Sequence, residues 1–426
     1  MKRINFIILI ICFSIVVTAC QKKQDDDQSH QPKTKDTAEV KAASDKVTSD
    51  QIITTDDVLK SCAPVYRKSV RDSYRKLQIK TSIYQKLSKK GSGIRLGVYQ
   101  AQAAYGPGAT EKNLNRLEEE VKIADAYDVQ ILSFPELYLP GYTLSPKAAK
   151  EVAEYKDGPS ITRARQIAKK YDMALIVPYA EKVDQKDGSK KYYDSIAVIS
   201  ENGDLLDSYR KTHLYGQQER DNWSFGKSNY PVHSIHGFPV GVINCYEAEF
   251  PELSRILALN GAKLIIAPTA ADNYYVLPNG HRSDVPYPDI STILAPANAY
   301  QNNVFFAYSN RSGYEKREGD VWHYKGNSVI CGPHGDIIVK ANHEQDTMLI
   351  ADLVPAYYGD THPAPKYFYL KDRRPELYKE LFSKEADFYD ATNHPIDLDT
   401  NFLKGGYHYP SYKDGKEETG NKSPTK

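Results

Sequence analysis

The chain has almost no net charge, few cysteines, and no apolar run long enough to cross a bilayer. Lysine and arginine number 56 against 55 aspartates and glutamates, a formal charge of +1 over 426 residues. That balance provides no field for a polyanion, so nucleic acid is not an expected partner. The five cysteines are scattered, and no His/Cys spacing makes a zinc pattern. His233 and His236 stand just before Gly237 without companion ligands and read as structural. No glycine-rich phosphate loop occurs. Neither a metal nor a cofactor is therefore expected. The longest apolar stretch, Phe6–Val17, falls short of the roughly 20 residues a spanning helix needs.

That stretch follows Lys2-Arg3 and runs into Val17-Thr18-Ala19-Cys20, which is the layout of a signal segment. Its end resembles the lipobox of bacterial lipoproteins. The resemblance implies removal of residues 1–19, diacylglycerol on the Cys20 sulfur, and an extracytoplasmic protein held to a membrane. Multiple acyl chains anchor stably where one is marginal. The alternative is an ordinary secreted protein cut nearby. Residues 20–54, with Asp25-Asp26-Asp27 and almost no apolar side chains, read as a disordered tether. Residues 55–92 read as a helical extension, on a stripe of Tyr66, Val70, Tyr74, Leu77, Tyr84 and Leu87. Export would permit a disulfide between Cys62 and Cys331, although nothing in the sequence brings them together.

The main domain is expected from about residue 93 to 382. Ile94–Tyr99, Val129–Phe134 and Ala174–Tyr179 are apolar strand runs, separated by helical patterns over Thr110–Tyr127 and Ile161–Tyr171. Tyr192–Ser200 and Leu205–Tyr209 flank the hairpin turn Glu201-Asn-Gly-Asp204. Strands alternating with helices, then hairpins, argue for a layered α/β domain. Phe368–Phe382 reads as helix-rich, and 383–426 as a polar tail. Tyrosine is abundant, 33 against 12 phenylalanines, which suits half-wet pockets.

Three strands end in chemistry. Val240–Ile243 stops at Asn244-Cys245-Tyr246, just before a helical pattern that starts near Glu249, so Cys245 is expected on a strand-to-helix turn with free backbone N–H groups beside it. Val129–Phe134 runs into Glu136, and Leu205–Tyr209 into Lys211. A thiol, a carboxylate and an ammonium, each after its own strand, are the parts of amide hydrolysis through a thioester. His213, two residues after Lys211, reads as shaping the site rather than reacting.

With these residues in view, the chain resembles the carbon–nitrogen hydrolase (nitrilase) superfamily, whose signature is Glu, Lys and Cys in this order. The matching words are FPELYLPGY around Glu136, YRKTHLYG around Lys211 and NCYEAEFPELSRILALNGAKLIIAPTA around Cys245, with AYQNNVFFAYSNRSG, KGNSVICGPHGD and DRRPELY further on. The resemblance implies a four-layer α-β-β-α sandwich, usually paired through helices into a homodimer or higher homo-oligomer. It implies Glu136 as proton acceptor, Cys245 as nucleophile, and Lys211 with the Tyr246 backbone N–H as oxyanion stabilisers. Glu219, in YGQQERDNWSFG, matches a second glutamate of the family and would support Lys211. The nearby words look more like amidases than nitrile-cleaving members, so a small amide is the expected substrate. Nitrile hydrolysis, acyl transfer by the same triad, or a non-catalytic binding lipoprotein are the alternatives. Tyr142, Glu247 and Tyr274 are the expected substrate contacts. Members that grip a carboxylate tend to place Arg just after the nucleophile, whereas this chain has Tyr246-Glu247-Ala248-Glu249, which leans toward neutral or amine-bearing amides. Glu249 reads equally as a first-turn helix acid. The long stretch Asp272–Asp289 is expected to form a wall or lid of the pocket.

Overall fold

The computed structural model describes residues 46–54, 77–84, 92–276, 282–317, 320–358 and 370–383. The signal segment, Cys20, Cys62, most of the expected extension and the tail lie outside them.

In chain order the strands are β1 (Lys46–Thr54), β2 (Gln78–Tyr84), β3 (Ile94–Gln100), β4 (Ile131–Ser133), β5 (Ala174–Asp184), β6 (Lys190–Ile199), β7 (Leu205–Arg210), β8 (His233–Ile235), β9 (Phe238–Val242), β10 (Leu264–Thr269), β11 (Tyr274–Val276), β12 (Arg282–Pro286), β13 (Phe305–Asn310), β14 (Tyr314–Arg317), β15 (Asp320–His323), β16 (Val329–Cys331), β17 (Ile337–Lys340) and β18 (Thr347–Leu353). The helices are α1 (Ala109–Asp125), α2 (Pro146–Val152), α3 (Pro159–Tyr171), α4 (Gly216–Asn222), α5 (Pro251–Leu259), α6 (Ile290–Asn302) and the short α7 (Glu380–Ser383). An eight-stranded sheet runs β1-β2-β18-β3-β4-β5-β6-β7, and a six-stranded sheet runs β17-β16-β13-β10-β9-β8.

Side-chain alternation shows why these strands lie between two layers. In β3, Leu96 and Val98 join one apolar core shared with β9, β10 and β13, whereas Tyr99 joins a second core with α1 and α3. In β18, Leu349, Ala351 and Leu353 face the first core and Met348 and Ile350 the second. A strand buried on both faces reads as an unbroken apolar run, which is how these strands look in sequence. Leu253 and Leu257 of α5 and Ala295 and Ala299 of α6 close the other side of the first core. The result is the expected α-β-β-α sandwich. Helix α5 lies close on β9, where a Cβ at Gly241 would meet Leu257 Cδ2 at 2.6 Å. Burying a leucine of this kind contributes on the order of 2 kcal/mol.

The N-terminal expectation needs correction. Gln78–Tyr84 is strand β2, not helix, and it pairs parallel with β18. Its other edge pairs antiparallel with β1, from the segment read as tether. Ile79, Thr81 and Ile83 put a β-branched residue at every second position, a strand period that the wider tyrosine stripe masked. The unpaired edge of β18 supplies the ladder partners that a local pattern cannot reveal. Of that stripe, only Leu77 and Tyr84 are among the described residues. At the other end, Pro375–Leu377 is a single 3-10 turn and α7 is short, so the helix expected over 368–382 is only partly present among the described residues. No described helix is long and apolar enough to cross a membrane.

Parallel pairing gathers the site at one end. β3, β4 and β5 pair parallel, as do β9, β10 and β13. β7 returns to the direction of β5 through two antiparallel steps. The residues that follow β4, β7, β9, β10 and β13 therefore leave at the same edge, where open α/β sheets place their ligands.

Candidate active site

Cys245 begins a 3-10 turn, Cys245–Glu249, directly after β9. Its φ is 53°, a left-handed conformation that non-glycine residues rarely hold without support from the surroundings. Burial raises the thiol well above its ordinary pKa, the Glu136 charge adds to this, and Lys211 opposes it. The Ala270 backbone N–H donates to the sulfur. The resting group is thus a thiol that needs a base before it can attack.

Glu136 and Lys211 are fully buried and form an ion pair, Lys211 Nζ to Glu136 Oε1, at 2.6 Å. The same ammonium lies 2.8 Å from Glu219 Oε2 and 3.7 Å from Asp194 Oδ2. Burial works against the Lys211 charge, but Glu136 and then Glu219 outweigh it, and the ammonium is held well above the usual lysine range. Glu219 also accepts from the Tyr142 hydroxyl at 2.6 Å and the Tyr215 N–H at 2.8 Å. Carboxylate oxygens of Glu136, Asp194 and Glu219 lie within 4.8 Å of one another, a grouping that could hold a metal. Here the Lys211 ammonium lies among them, 2.6 Å from Glu136, 2.8 Å from Glu219 and 3.7 Å from Asp194.

Asp194 was not singled out from sequence. It lies in β6 directly opposite Lys211, whose N–H donates to its carbonyl at 2.9 Å, and Asn244 Nδ2 donates to its Oδ1 at 3.0 Å. Neither Asp194 Oδ2 nor Glu136 Oε2 meets a donor, yet the two carboxyls are within hydrogen-bonding reach of each other. Two ionised carboxylates can only accept, so the contact is satisfied when one carries a proton. Burial, then the Glu136 charge, push Asp194 well above the carboxyl range against the pull of Lys211. That direction favours Asp194 as the member of the pair that carries a proton. A visible signal existed: Asp194 is a charge inside the otherwise strand-like Tyr192–Ser200.

A second buried ion pair fixes the loop after Glu136. Arg311, at the end of β13, donates through Nε to the Glu136 carbonyl at 2.9 Å and through its guanidinium to the Leu137 carbonyl. Its partner Glu315 accepts from the Tyr142 and Thr143 N–H groups at 3.0 and 2.8 Å. Sequence reasoning missed this clamp too, although Arg311 stands in one of the matching words.

The expected substrate contacts divide. Tyr142 and Tyr274 line a pocket together with Cys245, Tyr246 and Glu249. Glu247 does not reach it. Its side chain is fully buried and accepts from Thr212 N at 2.6 Å, Tyr209 Oη at 2.6 Å and Asn244 N at 2.7 Å. Asn244 and Glu247 form a capping box, in which the third residue reaches back to the N-cap N–H. Glu247 therefore ties the Lys211 segment to the Cys245 turn, and the Asn-x-x-Glu spacing is the signal that could have shown it. The donors His213, Thr212 and Tyr209 overcome burial and hold its carboxyl low. His213 shares the Thr212 hydroxyl, and its ring lies 4.4 Å from that of Phe250. His233 contacts Asp207, and His236 occupies a left-handed turn between β8 and β9. Cys331 is a buried free thiol in β16. Asp272, Tyr274 and Tyr287 from the long stretch line the pocket wall.

Comparison with known proteins places the chain in a family. Residues 95–363 match the family model described as carbon-nitrogen hydrolase. A protein of Pseudomonas protegens named hydrolase in pqqF 5'region is 33% identical over 68% of this chain and 92% of its own length. The citrullinase of Francisella tularensis is 30% identical over 64% of this chain and 93% of its own. The N-carbamoylputrescine amidase of Oryza sativa is 27% identical over 70% and 98%. A solved structure of a mutant amidase from Nesterenkonia sp. AN1 superposes with a TM-score of 0.53 and 27% identity, covering 70% of this chain and 99% of that one. That structure shows the acetamide moiety of fluoroacetamide covalently added at the active-site cysteine. The chain belongs to the carbon–nitrogen hydrolase family.

Proposed function

We propose that this protein is an amidase that hydrolyses a small non-peptide amide through a thioester on Cys245. The observation that carries the reading is a burial-raised thiol on a strained turn, facing a pocket and set beside a buried carboxylate–ammonium pair. Glu136 takes the Cys245 proton as the sulfur attacks the carbonyl carbon. Negative charge moves to the carbonyl oxygen, where the Lys211 ammonium and the Tyr246 backbone N–H would receive it. The intermediate collapses, the C–N bond breaks, and Glu136 returns the proton to the departing ammonia or amine. Glu136 then takes a proton from water as it attacks the thioester, and returns that proton to the departing Cys245 sulfur, which releases the acid and restores the thiol. Glu219 keeps Lys211 aimed, and Tyr142 bridges Glu219 to the pocket wall. Relatives named as amidases support an amide rather than a nitrile.

The test is ammonia release from a panel of neutral, cationic and anionic amides with matching nitriles, beside mass spectrometry of protein treated with fluoroacetamide. Release from at least one amide and a single adduct on the Cys245 peptide are expected. No release, with label absent from Cys245, would return the protein to a non-catalytic binding role.

The anchor is part of the same proposal. The Val17–Cys20 word supports lipidation at Cys20 and an extracytoplasmic, membrane-held enzyme. Exposed Ile256, Leu259, Ile293 and Tyr300 on the outer layer of α5 and α6 support self-association into a homo-oligomer. Fractionating cells and sizing the detergent-released protein checks both. The full chain should pellet with membranes and run above its 48.1 kDa monomer mass, whereas Cys20→Ala should move to the soluble fraction. Membrane retention of Cys20→Ala would reject the lipid anchor.

A further inference from the structure

The wall of the pocket around Cys245 is aromatic and acidic. The Tyr215 ring meets Tyr246 at 5.3 Å and Tyr287 at 6.0 Å between centroids, both edge-on. All three line the pocket with Cys245. Among them sits Glu249, the last residue of the turn that begins at Cys245. Its carboxylate is partly buried and accepts from the Tyr287 hydroxyl. Among the described residues no basic side chain forms an ion pair with it; Lys211 acts on it only from a distance and is committed to Glu136 and Glu219. Burial pushes the Glu249 carboxyl above its ordinary range, with the Tyr287 hydrogen bond and Lys211 opposing.

A carboxylate placed in a cavity without a counter-charge is costly unless the ligand brings one. Tyrosine faces carry negative quadrupole density and attract ammonium groups, most strongly where water is excluded. An anionic acyl group would meet Glu249 as a like charge. We propose that this wall selects amides whose acyl portion carries a positively charged amine, either protonated or quaternary, seated among Tyr215, Tyr246, Tyr287 and Glu249. The acyl portion is the part concerned because it is transferred to Cys245 in the first half-reaction and held there until water releases it, beside the turn that carries Glu249. This deepens the amidase reading and rests on it.

An isosteric pair tests the idea: trimethylammonio-butyramide, and the same primary amide with carbon in place of the ammonium nitrogen. For the full chain, kcat/KM for the cation is expected to exceed that for the neutral isostere by about tenfold or more. In Glu249→Gln, which keeps a hydrogen-bonding partner for Tyr287, that ratio should fall toward one, mainly through KM. In Glu249→Lys it should invert. A ratio of one or less in the unaltered protein, or a ratio unchanged in Glu249→Gln, overturns the proposal while leaving the amidase reading intact. If neither amide is hydrolysed, calorimetric binding of the two compounds to Cys245→Ala decides separately. Tighter binding of the cation, lost in the Cys245→Ala/Glu249→Gln protein, supports the cation site. Equal binding rejects it.

Discussion

Lys211→Met is expected to lower kcat/KM by about 10²–10³-fold, the scale of a lost oxyanion donor, and to destabilise the fold by about 3–5 kcal/mol. Methionine fills similar space but leaves three carboxyls, Glu136, Glu219 and Asp194, around a site with no cation. All are buried, so they must take up protons or remain as uncompensated charges. The pH dependence follows. In the native site burial already raises Asp194 and Glu219, and without the opposing ammonium both rise further. A carboxyl raised in the folded state contributes stability that is full below its unfolded pKa, about 4, and is lost as pH climbs through the folded value. The stability deficit of Lys211→Met should therefore be largest at alkaline pH and shrink on acidification toward pH 5. Thermal melts across that range, beside ammonia release, provide the measurement. Turnover retained within tenfold would remove Lys211 from the chemistry.

Glu136→Gln is expected to reduce turnover by about 10²–10⁴-fold, the usual worth of a positioned acid–base group. The loop should survive, because Arg311 holds the Glu136 and Leu137 carbonyls rather than the carboxylate. Thiol behaviour distinguishes a catalytic loss from a structural one. The Glu136 charge helps raise Cys245, after burial, so its removal should move the alkylation pH profile of Cys245 to lower pH while turnover falls. If both stayed unchanged, Glu136 would not be the base. Asp194 extends the test. Asp194→Asn places an amide donor where the carboxyl proton meets Glu136 and should keep turnover within about tenfold, a neutral hydrogen bond being worth about 1 kcal/mol. Asp194→Leu removes the polar group within reach of Glu136 and should lose far more.

The family words were readable because each reactive residue follows its own strand pattern. Val129–Phe134, Leu205–Tyr209 and Val240–Ile243 are each bounded by a sharp change in composition, and Glu136, Lys211 and Cys245 stand at those changes. Periodicity misled where two signals overlapped. The tyrosine stripe suggested a helix through Gln78–Tyr84, while alternating β-branched residues and the open edge of β18 made it strand β2. Glu247 misled for a different reason. An acid two residues after a nucleophile looks like a substrate contact, but the 3-10 turn points it back to the Asn244 N–H and Thr212.

The sequence by itself therefore determined the layered α/β class, the strand ends and the three reactive residue types, because apolar period and turn residues are local. Tertiary structure alone decided which charges share a cavity. Glu136 and Lys211 are 75 positions apart, and Arg311 is 175 from the carbonyl it holds. Pairing of β4 with β5, β5 with β6 and β6 with β7 in one sheet brought Asp194 to the Glu136–Lys211 pair. Proton positions, ion pairs and the aromatic wall around Glu249 depend on those distances and on exclusion of water, neither of which a linear pattern carries.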